Sequence, residues 1–424
     1  MRWCCRHGWW RKWAPTCAGW RRWSITCAPR STLSSEAPAA SQQEHRLPYA
    51  RLAAFYFAYF AVIGGYTPYF SVFLHGRGID ARSIGLILSL WYGTRVFAPG
   101  LWSWLAGRGA RGVRWLRAGA LLMTLGFAPL LWPLPRAGIV LSLVVFAFFA
   151  NAIAPQFEAI VLSHLPGRSE RYGRLRVWGS IGFIAIALGY GLLLDHLDAR
   201  WLPALMLPWM LLVCVLGFSL DYGPGHHAAP VASMGDLRVA LRSREVWGFF
   251  VLMLLMQMAF SPYHMLYSLY LRQHGYSSSA VGGLWAAGVG IEILTFFSIA
   301  PVLLRHAPRT LMLAGLGSGV LRWLAMALLP QYGWVMLLAQ LTHALSFAAF
   351  YAAAMRLLAR YFPGRLMGYG QGINSSFASG FGGVLGALVT SSLWPLGEGH
   401  AAFLASGALC LAGVLLALRV LPRT

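Results

Sequence analysis

Acidic residues are scarce in this chain: 12 Asp and Glu stand among 424 residues, against 34 Lys and Arg. Charged residues of both signs make up only 11% and hydrophobic residues 58%, a balance foreign to ordinary soluble domains. The sequence also lacks a phosphate-binding loop, a zinc-ligand spacing, a nucleophile elbow and a haem-attachment pattern. Those absences argue against an ATP-driven pump, an enzyme, a bound metal or any other cofactor. The strand alternation of a membrane barrel is missing too. Cysteines are few; Cys4, Cys5, Cys17 and Cys27 lie near the N terminus, and Cys214 and Cys410 read as small apolar residues inside hydrophobic runs.

What the chain has is apolar length. Stretches of about 20 residues, each long enough to cross a bilayer as a helix, recur at roughly 51–75, 81–105, 113–132, 137–163, 171–194, 200–220, 246–272, 279–304, 310–329, 332–360, 367–394 and 400–420. The expectation is an all-α membrane protein with twelve transmembrane helices. Most basic residues fall in the N-terminal tail, the even-numbered loops and the C terminus; Arg77, Arg82, Arg136, Arg200 and Arg272 fall on the other side. By the positive-inside rule both termini are expected in the cytoplasm, with the protein in a bacterial-type inner membrane. The net charge of +22 is then topological bias and not a nucleic-acid footprint. Residues 1–47, rich in Trp, Arg and Cys, show no periodicity and no signal-peptide core, and are expected to be a disordered or spurious extension.

An internal repeat organises the rest. At an offset of 197 residues Ser71, Leu74, Gly78, Gly85 and Gly93 fall on Ser268, Leu271, Gly275, Gly282 and Gly290, and Pro166-Gly167-Arg168 falls on Pro363-Gly364-Arg365. The chain therefore divides into an N-terminal six-helix bundle (48–220), a cytoplasmic linker (221–245) and a C-terminal six-helix bundle (246–424). Paired repeats with a site at their interface are the architecture of alternating-access transporters.

Charges at bilayer depth mark the candidate site, because each costs several kcal/mol unless paired or facing a watery cavity. They are Arg95, Glu158, Arg176, Glu292 and Arg322. The offset places Arg95 on Glu292, so equivalent positions carry opposite charges. An interdomain gate or pair is one reading; two charges solved separately by neighbouring helices is the other. Glu158 and Arg176 flank the turn at Gly167 symmetrically, which puts both about 13 Å from it on antiparallel helices. They should pair, either as a structural clamp or as a pair that also contacts substrate. Glu292, Arg322 and His343 sit on successive spans 8, 9 and 10, a set suited to proton handling, although a lone His on an apolar helix is often a packing residue. Gln340, His343 and Ser346 share one helix face. Gly64-Gly65 with Pro68 in span 1, and Gln257, Pro262 and His264 in span 7, mark either local helix breaks beside a cavity or close helix packing.

The segments YGRLRVWGSIGF (172–183), GYSSSAVGGLWAAGVGIEI (275–293), GVLRWLAM (319–326) and AAAMRLLA (352–359) resemble the major facilitator superfamily. More narrowly they resemble its phenylpropionate permease group, relatives of the lactose permease. The resemblance covers most of 48–420. It implies two pseudo-symmetric six-helix bundles and proton-coupled transport of an aromatic or other organic acid. It also implies that Glu158 and Arg176 bind substrate, with Phe183 at the position of a stacking aromatic. Glu292, Arg322 and His343 resemble the coupling set, and Arg322 is a further candidate for holding a substrate carboxylate. Ser346 stands where the relatives keep a proton-carrying acid, so Glu292 is the expected acceptor. Gly107 replaces the usual Asp of the loop after span 2. The expected partners are a small-molecule solute, protons and lipid, with a monomeric chain. A sugar or nucleoside symporter, an efflux antiporter and a non-transporting membrane receptor or assembly factor are the alternatives.

Overall fold

Twelve long helices account for nearly all of the chain described in the structure, a computed structural model covering residues 47–106, 111–165, 169–223 and 234–422. The expectations for the N-terminal tail, the Gly107-Arg108 loop and most of the linker lie outside the described residues. The N-terminal bundle comprises α1 (Tyr49–Gly76), α2 (Ala81–Ala106), α3 (Arg111–Phe127), α4 (Arg136–Ser163), α5 (Ser169–Leu193) and α6 (Leu202–Phe218). A short helix, Met234–Leu241, precedes the C-terminal bundle. That bundle comprises α7 (Arg244–Gln273), α8 (Ser278–Arg305), α9 (Pro308–Leu328), α10 (Gly333–Tyr361), α11 (Gly364–Leu396) and α12 (His400–Val420). Among the described residues all but α3 are long and apolar enough to cross a membrane. The α-helical parts of α3 and α6 each have 17 residues; α3 continues as a 3-10 turn over Ala128–Leu131, and α6 reaches spanning length with the 3-10 turn Ala199–Trp201 before it.

The repeat is visible in backbone geometry. Gly78 and Gly275, equivalent by the offset, turn the chain after α1 and α7 with φ of +76° and +83°, a region glycine enters without a Cβ clash. The next helices begin alike. Asp80 accepts from the Ser83 amide at 2.9 Å, and its equivalent Ser277 accepts from the Ala280 amide at 3.1 Å, each satisfying a free N–H of a helix start.

The suspected breaks divide. In α7 the break is real: the helix is interrupted at Phe260, just before Pro262, whose ring removes a backbone donor. In α1 the helix runs unbroken through Gly64, Gly65 and Pro68. Close packing explains these glycines, because a Cβ on Gly64 would lie 2.7 Å from the Phe183 carbonyl oxygen. The sequence signalled nothing of two π-helical turns, Ala344–Ala349 in α10 and Asn374–Phe381 in α11.

The bundles meet through α5 against α8, α2 against α11, and α1 against α7. At the end remote from the chain termini the contact is sealed by backbone. A Cβ on Gly282 would overlap the Ala187 carbonyl oxygen, and one on Gly191 would lie 2.8 Å from that of Ser278. Tyr69 donates its hydroxyl to Ala187 O. The Asp195 carboxylate, just past α5, accepts from the amides of Ser278 and Ser279 at 2.6 and 3.2 Å. Free N–H groups at the start of α8 in one bundle are thus capped by an acid of the other.

Candidate functional site

A cavity of about 460 Å³ lies between the bundles, walled by α1, α2, α4 and α5 on one side and by α7, α10 and α11 on the other. Its far end is closed by the seal just described. At the other end Arg176 keeps 53% of its side chain exposed and Glu158 29%, so the cavity opens toward the side from which α1 and α5 start.

Glu158 and Arg176 meet as the loop symmetry requires, at 3.0 Å. The second Glu158 oxygen accepts from the hydroxyls of Tyr56 and Tyr172, both at 2.9 Å, and Arg176 donates to Tyr172 at 2.8 Å. The carboxylate is thereby held on α4 by one partner from α1 and two from α5. Tyr172 lies one helical turn before Arg176, a spacing that could have singled it out. Arg95 is placed differently. Its Nε donates to Asn151 Oδ1 at 3.3 Å, and Asn151 is fixed by bonds from its amide to Trp91 O and Thr94 Oγ1 at 2.9 and 3.1 Å. No ion pair joins Arg95 to Glu292 among the described residues. In this structure the two charges are met separately by different neighbouring helices. Equivalent helices need not be neighbours: α2 packs on α4 and α11, and α8 on α5.

In the other charged set Arg322 and His343 are buried behind the wall, while Glu292 keeps 26% of its side chain exposed. Arg322 is 1% exposed. It donates to His343 Nδ1 at 2.7 Å, to Gln340 Oε1 at 3.2 Å and to Ser346 Oγ at 3.4 Å. Its guanidinium lies 4.5 Å from the Tyr263 ring centre and 4.6 Å from that of Trp323, contacts worth about 0.5–2 kcal/mol each when desolvated. Gln340 is held in turn by Tyr263, which donates to its carbonyl at 3.0 Å, and by Tyr267, which accepts from its amide at 2.8 Å. A guanidinium only donates, so His343 Nδ1 is the acceptor and the neutral ring carries its proton on Nε2. That nitrogen lies 3.8 Å from Glu292 Oε2. The π turn begins directly after His343 and places Phe347 flat against its ring, centroids 4.7 Å apart. Phe347 itself lines the cavity, so one aromatic ring separates His343 from the solute space.

Two expected substrate contacts are likewise set back. Arg322 is enclosed by its own partners, and Phe183 packs on Trp285 with ring centres 6.2 Å apart, outside the cavity wall. Asn151 was not singled out from the sequence; its only signal is an uncharged polar residue in an apolar run. Among the described residues no cluster of His, Cys, Asp and Glu has the makings of a metal site.

The MFS_1 like family matches residues 49–405. A probable 3-phenylpropionic acid transporter of Escherichia coli (strain K12) is 30% identical over 311 residues, covering 73% of this chain and 81% of that protein. A maltose permease of Geobacillus stearothermophilus is 27% identical over 354 residues, covering 81% and 88%. The crystal structure of the nucleoside transporter NupG superposes with a TM-score of 0.74 at 16% identity, over 88% of this chain and 98% of that one. A mutant form of the same transporter gives a TM-score of 0.79 at 15% identity, over 88% and 100%. With the family shown, the protein is a multi-pass membrane transporter and not an enzyme. The chain belongs to the major facilitator superfamily, within its phenylpropionate permease group.

Proposed function

We propose that the protein is a proton-coupled symporter that carries an aromatic or other organic monocarboxylic acid across the inner membrane by alternating access. The observation that carries this reading is the adjacency of two things. One is a one-sided cavity lined by aromatic rings and charged groups. The other, one ring behind it, is a Glu292–His343–Arg322 chain able to hold and release a proton. In this reading Glu292 takes the proton, and His343 and Arg322 couple its state to the helix break at Phe260 through Gln340 and Tyr263. Glu158 and Arg176 form the polar wall against which the solute rests. The distribution of basic residues supports cytoplasmic termini, which would make the open end cytoplasmic. The similarity to a transporter described as acting on 3-phenylpropionic acid supports the solute class. The chain is read as working as a monomer.

Uptake of labelled 3-phenylpropionate into proteoliposomes should rise under an inside-alkaline pH gradient. Uptake indifferent to the gradient would sink the coupling. A second reading has one specific observation in its favour. Glu158 already accepts from two hydroxyls, as it would from a sugar or nucleoside. Competition by maltose or uridine, but not by aromatic acids, would favour it.

A further inference from the structure

We propose that Arg95, not Arg176 or Arg322, is the anchor for the solute's carboxylate, and that the aromatic side chains around it form the box for the solute's apolar body. The assignment rests on the organic-acid reading above.

Three charged residues line the cavity: Arg95, Glu158 and Arg176. Glu158 neutralises Arg176 by direct contact, and two tyrosine hydroxyls complete the carboxylate. Arg322 lies outside the cavity wall and spends its Nη donors on His343, Gln340 and Ser346. Arg95 has no such compensation. No carboxylate lies within 4.0 Å of it among the described residues. Its one hydrogen bond is from Nε to a neutral amide, and its Nη atoms have no protein partner among those residues. A guanidinium at membrane depth is costly without a counter-ion, and its free fork of donors matches a carboxylate. The cavity thus carries a net charge of +1, the complement of a monoanion.

The surroundings fit an aromatic or aliphatic body. Tyr66 and Trp91 stack with centroids 5.1 Å apart, Tyr92 lies 5.9 Å from the Arg95 guanidinium carbon, and Tyr59 and Tyr351 complete the wall. Asn151 acts as a positioning residue: its amide is pinned to α2, so its carbonyl fixes Nε and turns the other donors toward the space. A neutral polyol would leave this cation unmatched, so the same geometry weighs against sugars.

The test compares 3-phenylpropionate with its neutral amide by isothermal titration on the purified full-length transporter. Wild type should bind the acid and discriminate against the amide. Arg95→Gln should weaken acid binding roughly 30-fold or more and bring acid and amide to similar affinity. Arg95→Lys should keep the preference for the acid at reduced affinity. Acid binding by Arg95→Gln at wild-type strength would overturn the assignment while leaving the organic-acid reading intact. Wild type that binds neither 3-phenylpropionate nor benzoate would overturn the reading itself, and the assignment with it. Should Arg95→Gln fail to fold by size-exclusion chromatography, Arg95→Lys decides: equal binding of acid and amide by that variant overturns the proposal.

Discussion

Arg322 donates to His343 Nδ1 at 2.7 Å, and this contact turns the histidine's remaining N–H toward Glu292, 3.8 Å away. The arginine thus sets the tautomer without touching the acid. At 3.8 Å the His343–Glu292 contact exceeds a direct hydrogen bond, so a small shift of α8 against α10 makes or breaks it. A group whose proton affinity follows such a shift can tie protonation to conformation.

Under the proposed coupling, Glu292→Gln removes the proton acceptor and keeps the side-chain shape. Net uptake driven by a pH gradient should fall at least tenfold, while exchange of internal for external solute continues. Counterflow assays in proteoliposomes separate the two. Loss of exchange together with uptake would place Glu292 in solute binding instead.

Arg322→Gln should be far more damaging to the fold. The guanidinium is fully buried, and its removal leaves His343, Gln340 and Ser346 short of a donor. Each buried polar partner left unsatisfied costs about 1–3 kcal/mol. A drop of several degrees or more in the unfolding temperature in detergent should accompany lost transport.

Glu158→Gln keeps the size of the side chain but converts one charge-assisted oxygen to an amide donor facing Arg176 or the two tyrosines. Both partners are part-exposed through the cavity, so stability should change little. Solute affinity should fall about tenfold through misplacement of Arg176 and Tyr172. Titration and thermal unfolding on the same sample distinguish the effects.

Asp195 offers a test of the far-end seal. Hydrogen bonding from Ser279, and then from the Ser278 amide, holds its carboxyl below the usual carboxylate range. A depressed carboxyl contributes stability that is complete above its unfolded value, near 4, and is lost as pH falls through the folded value. The seal should therefore not titrate between about pH 5 and 8. Asp195→Asn should loosen it at every pH in that window. Maleimide labelling of a cysteine placed at Gly283, where a side chain meets open space, should become faster in the variant, and an unchanged rate would show that the glycine contacts hold the seal alone.

Much of the architecture was legible in the chain because lipid imposes a long apolar run on each helix; predicted and observed spans differ by only a few residues at their ends. The Glu158–Arg176 pair was legible because a short turn fixes the register of antiparallel helices. The positions of Arg95 and Glu292 were not, because the repeat relates helices by symmetry and not by contact. Tyr172 and Asn151 escaped notice for a different reason. Uncharged polar groups are common enough in membrane helices that burial alone does not single them out. The π turns were hidden because neither segment contains a proline that would mark a break.

Those π turns divide the labour between the bundles. In the N-terminal bundle α1, α2, α4, α5 and α6 are uninterrupted α-helices, even across Pro68, Pro99, Pro155 and Pro208. In the C-terminal bundle α7 is broken, and α10 and α11 each contain a stretch of shifted hydrogen-bond register, where a helix can swivel at little expense. One half is built as a stiff lever and the other as a jointed one. Two of the three joints, at Phe260 and at Ala344–Ala349, adjoin His343, so the jointed half is also the half that holds the buried Arg322–His343 contact.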